Sequence, residues 1–207
     1  MWIPLESIKI ANFLLFSMID LILCKDKFDD YGFSRIYEVK INRINSMNNI
    51  RRLNEYINVA EGCNLNREIL SSKNIDILVS PEKNRIEDFL HHRNSGLNHI
   101  LCNLAKKNRI AIAFSFNEVL KSNGVERAKI IGRMQQNVRL CRKYKVEMII
   151  ASFATNKYEM RSLNDLKSFG AVIGMNPREI KRAFEVVKDI LRIKKEYVAE
   201  GIRILEN

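Results

Sequence analysis

The chain has 207 residues, of which 46% are hydrophobic and 29% are charged, as in a soluble globular protein with an ample core. Its eight Gly and three Pro argue against long linkers, and its four cysteines include no C-x-x-C pair, which argues against a zinc site and favours free thiols in a reducing cytoplasm. The net charge of +11 favours nucleic acid or an anionic membrane as the partner.

The N-terminus contains an apolar stretch, Ile8 to Leu23, that resembles a membrane segment. Asp20 interrupts it, and it is shorter than the ~20 residues that a membrane-spanning helix needs, so we predict no membrane partner. Its end, Met18 to Cys24, has the composition of a strand. We therefore divide the chain into a peripheral or non-native extension, residues 1–17, and a single domain, residues 18–207. The alternative is that the extension forms a helix or strand that packs on the domain.

Short apolar runs and amphipathic stretches alternate along the domain. Strands are predicted over Met18–Cys24, Ser34–Asn42, Tyr56–Ala60, Ile75–Ser80, Ile110–Phe116 and Met148–Ala154. Helices are predicted over Asn48–Glu55, Leu65–Ser72, Gly96–Asn108, Glu126–Tyr144, Leu163–Phe169 and from Asn176 to about Tyr197. Three stretches are less regular: Lys25–Gly32 is a turn or short helix, Ile86–His91 is strand or helical turn, and Ala171–Ile173 is a candidate last strand.

Strands that alternate with helices, joined by right-handed crossovers, give a parallel sheet. Such a sheet either closes into a barrel or stays open and doubly wound. A barrel needs as few as ~200 residues, whereas a dinucleotide-binding sheet has a glycine-rich turn after its first strand. The sequence contains neither G-x-G-x-x-G nor G-x-x-x-x-G-K-[ST]. We therefore predict an α/β fold, an irregular TIM-type (β/α) barrel that need not have all eight strands.

Barrels that hydrolyse phosphoesters hold two or three metal ions with several His and carboxylate ligands. The three His of this chain, His91, His92 and His99, lie within one turn and one helix start, and only Asp20 and Glu61 could add carboxylate ligands. We predict no catalytic residue and no metal site. A stand-alone metal-dependent phosphoesterase remains an alternative, and a purely structural scaffold is another.

The basic residues concentrate between Lys121 and Arg161, a stretch with ten Lys or Arg and three Glu. In the helix predicted there, an apolar stripe contains Ile130, Ile131, Met134, Val138 and Cys141. The opposite face carries Lys129, Arg133, Gln136, Arg139 and Lys143. Because no Glu precedes these bases by four residues, we predict that the four cations contact phosphates. The alternative is an ordinary solvated charged face.

Two further arginines are expected at the rim of the barrel, where helices begin. Arg127 lies at the start of the basic helix, and Arg161 directly precedes the helix predicted from Leu163. Two arginines on one rim can grip a phosphate bidentately. The alternative is a structural pairing, for example of Arg161 with Asp165.

The segment from His92 to Phe116, HRNSGLNHILCNLAKKNRIAIAFSF, combines a polar turn, an amphipathic helix and a buried strand. It resembles the central motif of the family of ribonuclease P protein component 3, the archaeal relatives of the thirty-kilodalton subunit of the eukaryotic enzyme. Three later stretches support the resemblance: Glu126–Ala128, Leu140–Lys145 and Glu159–Leu166 followed by Ile173–Met175. The similarity extends from about Met18 to Ile193, and Arg127 and Arg161 match arginine positions of the family.

The resemblance implies a TIM-type barrel and a protein subunit of ribonuclease P, the ribonucleoprotein that removes the 5′ leader from precursor tRNA. It implies that the RNA performs the hydrolysis with Mg²⁺, so that this chain binds no cofactor and is inactive alone. The implied partners are ribonuclease P RNA, precursor tRNA, directly or indirectly, and protein component 2.

The remaining candidates for RNA contact lie in or near the motif. His92 and Asn98 can bond ribose or base edges, and Arg93 can engage phosphate. Additional positive charge comes from Arg85, Lys106, Lys107 and Lys157. Since most aromatic residues fall in apolar stripes or strands, we expect recognition of the RNA backbone and shape rather than of unpaired bases.

Overall fold

Parallel strands and helices alternate through the computed structural model, which describes residues 18–24, 31–53, 55–83, 87–199 and 202–203. The strands are β1 (Ile19–Ile22), β2 (Arg35–Glu38), β3 (Ile41–Asn42), β4 (Val59–Glu61), β5 (Ile77–Val79), β6 (Ala111–Ser115), β7 (Met148–Ala151), β8 (Tyr197–Ala199) and β9 (Ile202–Arg203). The helices are α1 (Met47–Arg51), α2 (Asn66–Ser71), α3 (His99–Asn108), α4 (Phe116–Lys121), α5 (Gly124–Tyr144), α6 (Leu163–Val172) and α7 (Pro177–Glu196), with a 3₁₀ turn at Lys157–Glu159.

Strands β1 to β7 are all parallel to their neighbours. One parallel sheet pairs β1 with β2, a second has the order β3-β4-β5-β6-β7, and β8 and β9 form a separate antiparallel pair. Strands β2 and β3 follow each other along one extended stretch, so the first sheet leads directly into the second. Backbone bonds from the Phe153 N–H to the Leu21 carbonyl and from the Leu23 N–H to the Ala154 carbonyl, both 2.9 Å, connect the end of β7 to β1. The two sheets thus form an irregular TIM-type barrel, as predicted.

The two faces of the strands pack in different places, as expected for a sheet that helices cover. One face packs in a cluster with Val186 and Val187 of α7; it contains Leu21, Val59, Ile77, Ala111, Ala113, Ile149 and Ala151. The other face packs under the helices; there Leu78, Ile112, Phe114 and Ile150 meet Cys102, Ala105, Met134 and Val138. Helix α7 packs against β7 and β1, where the two sheets meet. None of the described helices is long and apolar enough to cross a bilayer.

Several predicted boundaries change in the structure. Helix α3 begins at His99 rather than at Gly96, because the Asn98 side chain accepts a hydrogen bond from the Leu101 N–H and caps the helix. The predicted last strand, Ala171–Ile173, is wrong: α6 runs to Val172 and ends where Gly174 adopts a φ of +90°. Helix α4 was not predicted, since it continues directly from the apolar run of β6.

Other expectations are confirmed or lie outside the described residues. The Asn176 side chain caps α7 by accepting from the Glu179 N–H at 2.9 Å, and Glu179 returns a bond to the Asn176 N–H at 2.8 Å, as predicted. Residues 1–17, assigned to an extension, and most of the Lys25–Gly32 segment lie outside the described part of the chain.

Asp20, on β1, joins the two sheets through its buried carboxylate. It accepts bonds from the Ser152 N–H at 2.7 Å, the Ser152 hydroxyl at 2.5 Å and the Leu21 N–H at 2.9 Å. Burial raises the pKa of Asp20 to about 6, although the bonds from Ser152 and Leu21 oppose this shift. The junction between β7 and β1 therefore contains a carboxyl that titrates not far below neutral pH.

We expect Asp20→Asn to remove a pH-dependent loss of stability. The folded-state pKa of about 6 lies above the unfolded value of about 3.9. The carboxyl therefore contributes stability below about pH 4, and this contribution is lost as the pH rises through about 6. The amide keeps the acceptor for the two N–H groups and can donate to the Ser152 hydroxyl. Urea unfolding should show the variant gaining about 2 kcal/mol on the wild type between pH 4 and pH 8. Equal pH dependence in the two proteins would contradict this assignment.

Candidate nucleic-acid interface

The segment between β5 and α3 lies against one side of α5 and buries a charged residue of that helix. Arg133 is 1% exposed, and its Nε donates to Asp88 Oδ1 at 2.8 Å. The same carboxylate oxygen accepts from the Asn94 N–H at 2.9 Å. The prediction that Arg133 lies on the exposed face is therefore wrong. The side of α5 that helical periodicity assigns to solvent is covered at this point by another part of the chain.

Two adjacent amides of α5 hold the polar turn of the His92–Phe116 motif. Gln136 accepts from the Arg93 N–H at 3.2 Å and donates to the Arg93 carbonyl and the Ser95 hydroxyl, each at 3.0 Å. Asn137 donates to the Ser95 carbonyl at 2.8 Å and to Glu82 at 3.3 Å. Because these bonds engage backbone groups on both sides of Asn94, they fix the path of the turn as well as its contact with the helix.

Arg93 passes over Gly132 of α5. A Cβ built at Gly132 would lie 2.2 Å from Nη1 of Arg93 and 2.3 Å from its Cζ, much closer than atoms can approach. The absence of a side chain at Gly132 thus lets the guanidinium lie against the helix backbone. The polar turn and the basic helix, predicted as two separate candidates for RNA contact, meet at this glycine.

The pKa values of the two acids near the turn, Asp88 and Glu82, are shifted in opposite directions. Burial raises the pKa of Asp88, but bonds from Arg133 and the Asn94 N–H and the charges of Arg133 and Arg93 outweigh it, so the pKa of Asp88 is lowered. Burial raises the pKa of Glu82 to about 8, with the Glu118 charge adding to the rise and Asn137 and Arg133 opposing it. At neutral pH the anion that pairs with Arg133 is therefore Asp88.

The solvent side of α5 keeps three of the four predicted cations. Arg139 and Lys143 are exposed, and Lys129 is half-buried. Within the described part of the chain, none of the three pairs with a carboxylate. Arg142 is different, because it forms two 2.7 Å bonds with Glu179. The three cations thus present positive charge to solvent, as predicted, and their contact with RNA stays a prediction.

Arg127 and Arg161 are used locally. Arg127 Nε donates to the carbonyls of Val119 at 3.0 Å and Ser122 at 2.8 Å, which lie at the end of α4. Arg161 Nη1 donates to the carbonyls of Tyr158 and Met160, and its guanidinium lies 5.7 Å from the centre of the Phe116 ring.

The suggested pairing of Arg161 with Asp165 does not form. Asp165 instead accepts from the Ser162 N–H at 3.1 Å and hydroxyl at 2.8 Å at the start of α6.

The other predicted contacts are dispersed. Asn98 caps α3, and Lys106 and Lys107 are exposed in the last turn of that helix. Lys157 lies 5.1 Å from the centre of the Tyr158 ring, which is 79% exposed. Arg85 lies outside the described residues.

The sequence reasoning missed an exposed aromatic residue. Phe89, in the stretch predicted as strand or helical turn, is 56% exposed, and its ring centre lies 4.7 Å from that of His92. The apolar residues Ile86, Phe89 and Leu90 have the spacing of a helical turn, which predicted a buried side chain rather than an exposed one, although two histidines and an arginine follow directly after Leu90.

The rim formed by the carboxyl ends of the strands is occupied by ion pairs. Glu61 at the end of β4 lies 3.1 Å from Arg43 and 2.6 Å from Lys83, and Lys83 also lies 2.7 Å from Glu118. Asp20, the other carboxylate considered as a ligand, is bonded to Ser152. No three His, Cys, Asp or Glu side chains in the described ranges cluster as a metal site would.

A double-mutant cycle at Gly132 and Arg93 should detect their contact. In an Arg93→Ala background, Gly132→Ala should stabilise the protein by about 1 kcal/mol, because Ala favours helix over Gly. With Arg93 present, the gain should be smaller or reversed, because the new Cβ displaces the guanidinium. Urea unfolding of the four proteins measures the coupling. Equal effects of Gly132→Ala in both backgrounds would show that Arg93 does not lie on Gly132.

Comparisons with known proteins agree with the resemblance. The profile of a family described as RNase P subunit p30 matches residues 39–196. Ribonuclease P protein component 3 of Methanococcus maripaludis strain C7 is 31% identical over 190 residues, which cover 86% of this chain and 78% of that protein. The protein of the same name from strain C6 is 35% identical over 147 residues, which cover 69% of this chain and 60% of that protein.

A solved structure supports the fold. A chain in a cryo-EM structure of archaeal ribonuclease P with mature tRNA matches with a TM-score of 0.69, at 24% sequence identity, over 100% of this chain and 96% of that chain. At this sequence identity the match shows the fold alone. The family profile, in contrast, covers most of the sequence, including the basic helix and the turn that docks on it. This chain belongs to the family of RNase P subunit p30.

Proposed function

We propose that this chain is a protein subunit of ribonuclease P and supports the catalytic RNA in the endonucleolytic removal of the 5′ leader from precursor tRNA. Membership of the family supports this role, as do relatives named as component 3 of the enzyme. The observation that carries the proposal is the docking of the polar turn on α5. It places Arg93 at Gly132 on a helix whose solvent side carries further cations without acidic partners among the described residues.

The RNA-binding surface consists of Lys129, Arg139 and Lys143 on α5 and Arg93 on the docked turn. From Lys129 to Lys143 the helix rises about 21 Å. Since Gln136 holds the turn midway along this length, Arg93 lies between the helix cations rather than apart from them. A row of cations of this length can neutralise several phosphates and release their counterions. Arg133 is not part of the surface, because Asp88 pairs with it in the interior.

The remaining assignments rest on the family resemblance and on general chemistry. The proposed partners are ribonuclease P RNA, precursor tRNA and protein component 2. The RNA would perform the hydrolysis with its own Mg²⁺, and this chain would be inactive alone. Candidates for secondary contacts are the remaining predicted residues, which are Arg85, His92, Asn98, Lys106, Lys107, Arg127, Lys157 and Arg161. The cytoplasm remains the proposed location.

A salt series should identify the surface on α5. Replacing Lys129, Arg139 and Lys143 by Ala should make the slope of log K against log salt less steep by about 2–3. Each lost phosphate contact reduces the magnitude of this slope by about 0.7–0.9. Filter binding to ribonuclease P RNA between low and high salt gives the slope. The melting temperature should barely change, because exposed charges contribute little to stability.

A matched variant controls for net charge. Arg51, Lys73 and Arg178 are also exposed but lie on α1, after α2 and on α7. Replacing these three by Ala removes the same charge and should leave most of the slope intact. If both triple variants lower the slope equally, RNA binding depends on overall charge and not on α5.

Reconstitution tests the function itself. Cleavage of precursor tRNA by the RNA, component 2 and this chain should exceed cleavage without this chain, and the difference should shrink when the α5 triple variant is used. The purified chain alone should not cleave precursor tRNA with Mg²⁺, Mn²⁺ or Zn²⁺. Metal-dependent turnover by the chain alone that disappears in Glu61→Gln would instead establish the metallophosphoesterase.

A further inference from the structure

An aromatic pair is exposed at the outer end of the docked segment. Phe89 is 56% exposed, and the neighbouring Leu90 is 92% exposed. The Phe89 ring lies on the His92 imidazole with a centroid separation of 4.7 Å and an interplanar angle of 30°. Two other aromatic pairs cross more steeply, at 82° for Phe116 and Phe169 and at 53° for Phe33 and Phe184. Of these three pairs, the rings of the exposed pair are therefore the closest to parallel.

The pair is held in place on both sides. Asp88, directly before Phe89, is bonded to the buried Arg133 at 2.8 Å. Arg93, directly after His92, exchanges two backbone bonds with Gln136 at 3.2 and 3.0 Å. The four residues between these anchors are therefore held at both ends, which lowers the conformational entropy that the segment would lose when a ligand stacks on the rings.

Cations lie close to the pair, although the exposed Glu87 also lies two residues before Phe89. The Arg93 guanidinium lies against Gly132, beside the cations of α5. The nearest acid along the segment, Asp88, is paired with Arg133 and bonded to the Asn94 N–H. Flat aromatic faces next to cations that can bind phosphates are the combination that single-stranded nucleic acids require, because the bases stack while the backbone is neutralised. An apolar protein partner would not pair with the guanidinium of the neighbouring Arg93.

We propose that the Phe89–His92 pair is a stacking platform for an unpaired base of the bound RNA. This inference rests on the proposed RNA-binding function and adds a contact of a different kind, since the sequence favoured recognition of backbone and shape alone. Phe89 supplies the larger exposed face, His92 supports it from the other side, and Arg93 would engage a neighbouring phosphate. The contact would be tolerant of sequence, because every base has a flat face.

Stacking and phosphate contacts respond differently to salt, and this difference defines the experiment. The probes are a single-stranded ten-nucleotide oligoadenylate and a duplex RNA of the same length, bound to the full chain. Phe89→Ala should weaken binding of the single strand by roughly 5- to 150-fold at every salt concentration, with an unchanged slope. Binding of the duplex should not change. Phe89→Tyr, which keeps the ring, should bind the single strand nearly as well as the wild type.

Leu90→Ala is the matched control, because it removes an even more exposed apolar side chain from the same segment without removing a ring. It should leave both affinities unchanged. A second readout uses 2-aminopurine within the oligonucleotide, whose fluorescence should be quenched by the wild type and by Leu90→Ala but not by Phe89→Ala. Melting temperatures of all variants should stay close to that of the wild type, since neither side chain is buried.

The outcomes separate this inference from the proposed function. One outcome is that Phe89→Ala binds the single strand like the wild type, while the α5 triple variant shows a less steep dependence of log K on log salt. This outcome overturns the stacking platform and leaves the RNA-binding function standing. If the wild type does not bind the single strand, or if Phe89→Ala weakens single strand and duplex equally, the platform is also overturned. If Phe89→Ala and Leu90→Ala weaken binding of component 2 and not of RNA, the patch is a protein contact.

Discussion

A guanidinium buried in the protein interior determines how the candidate interface is built. Removing the charge of Arg133 from water costs several kcal/mol unless it is paired and hydrogen-bonded. Asp88 supplies the opposite charge, and it can do so only if the segment between β5 and α3 lies against α5. The positions of Phe89, His92 and Arg93 all follow from this docking, because each is within a few residues of a bonded anchor. A buried ion pair of this kind fixes where the segment docks on the helix more than it stabilises the fold.

Periodicity explains why much of the architecture could be predicted and why Arg133 could not. Strands β6 and β7 are apolar on both faces, and Asn176 and Glu179 have the spacing of a helix start, so these elements are visible in the sequence. Helical periodicity also placed Met134, Val138 and Cys141 in the core correctly. It distinguishes core from non-core, however, and cannot tell whether the non-core side faces water or an irregular segment that has no period of its own.

The arginines illustrate a second limit of the sequence. The sequence predicts Arg127 and Arg161 as a pair, because both fall at helix starts near the rim. In the structure each satisfies backbone carbonyls where one element ends and another begins. An arginine has five N–H donors, so bonds to nearby carbonyls fix its position without deciding whether its other donors bind a phosphate. Gly132 shows the reverse case, since its importance comes entirely from a side chain that is distant in sequence.

The succession of β2 and β3 along one stretch joins the two parallel sheets. In the described part of the chain, β2 pairs with β1 and β3 pairs with β4. On the strand face that packs with α7, Ala111, Ala113 and Ala151 contribute only methyl groups beside larger side chains such as Leu21 and Ile77. Because protein interiors are close-packed, a larger side chain at any of these three alanines would have to displace its neighbours.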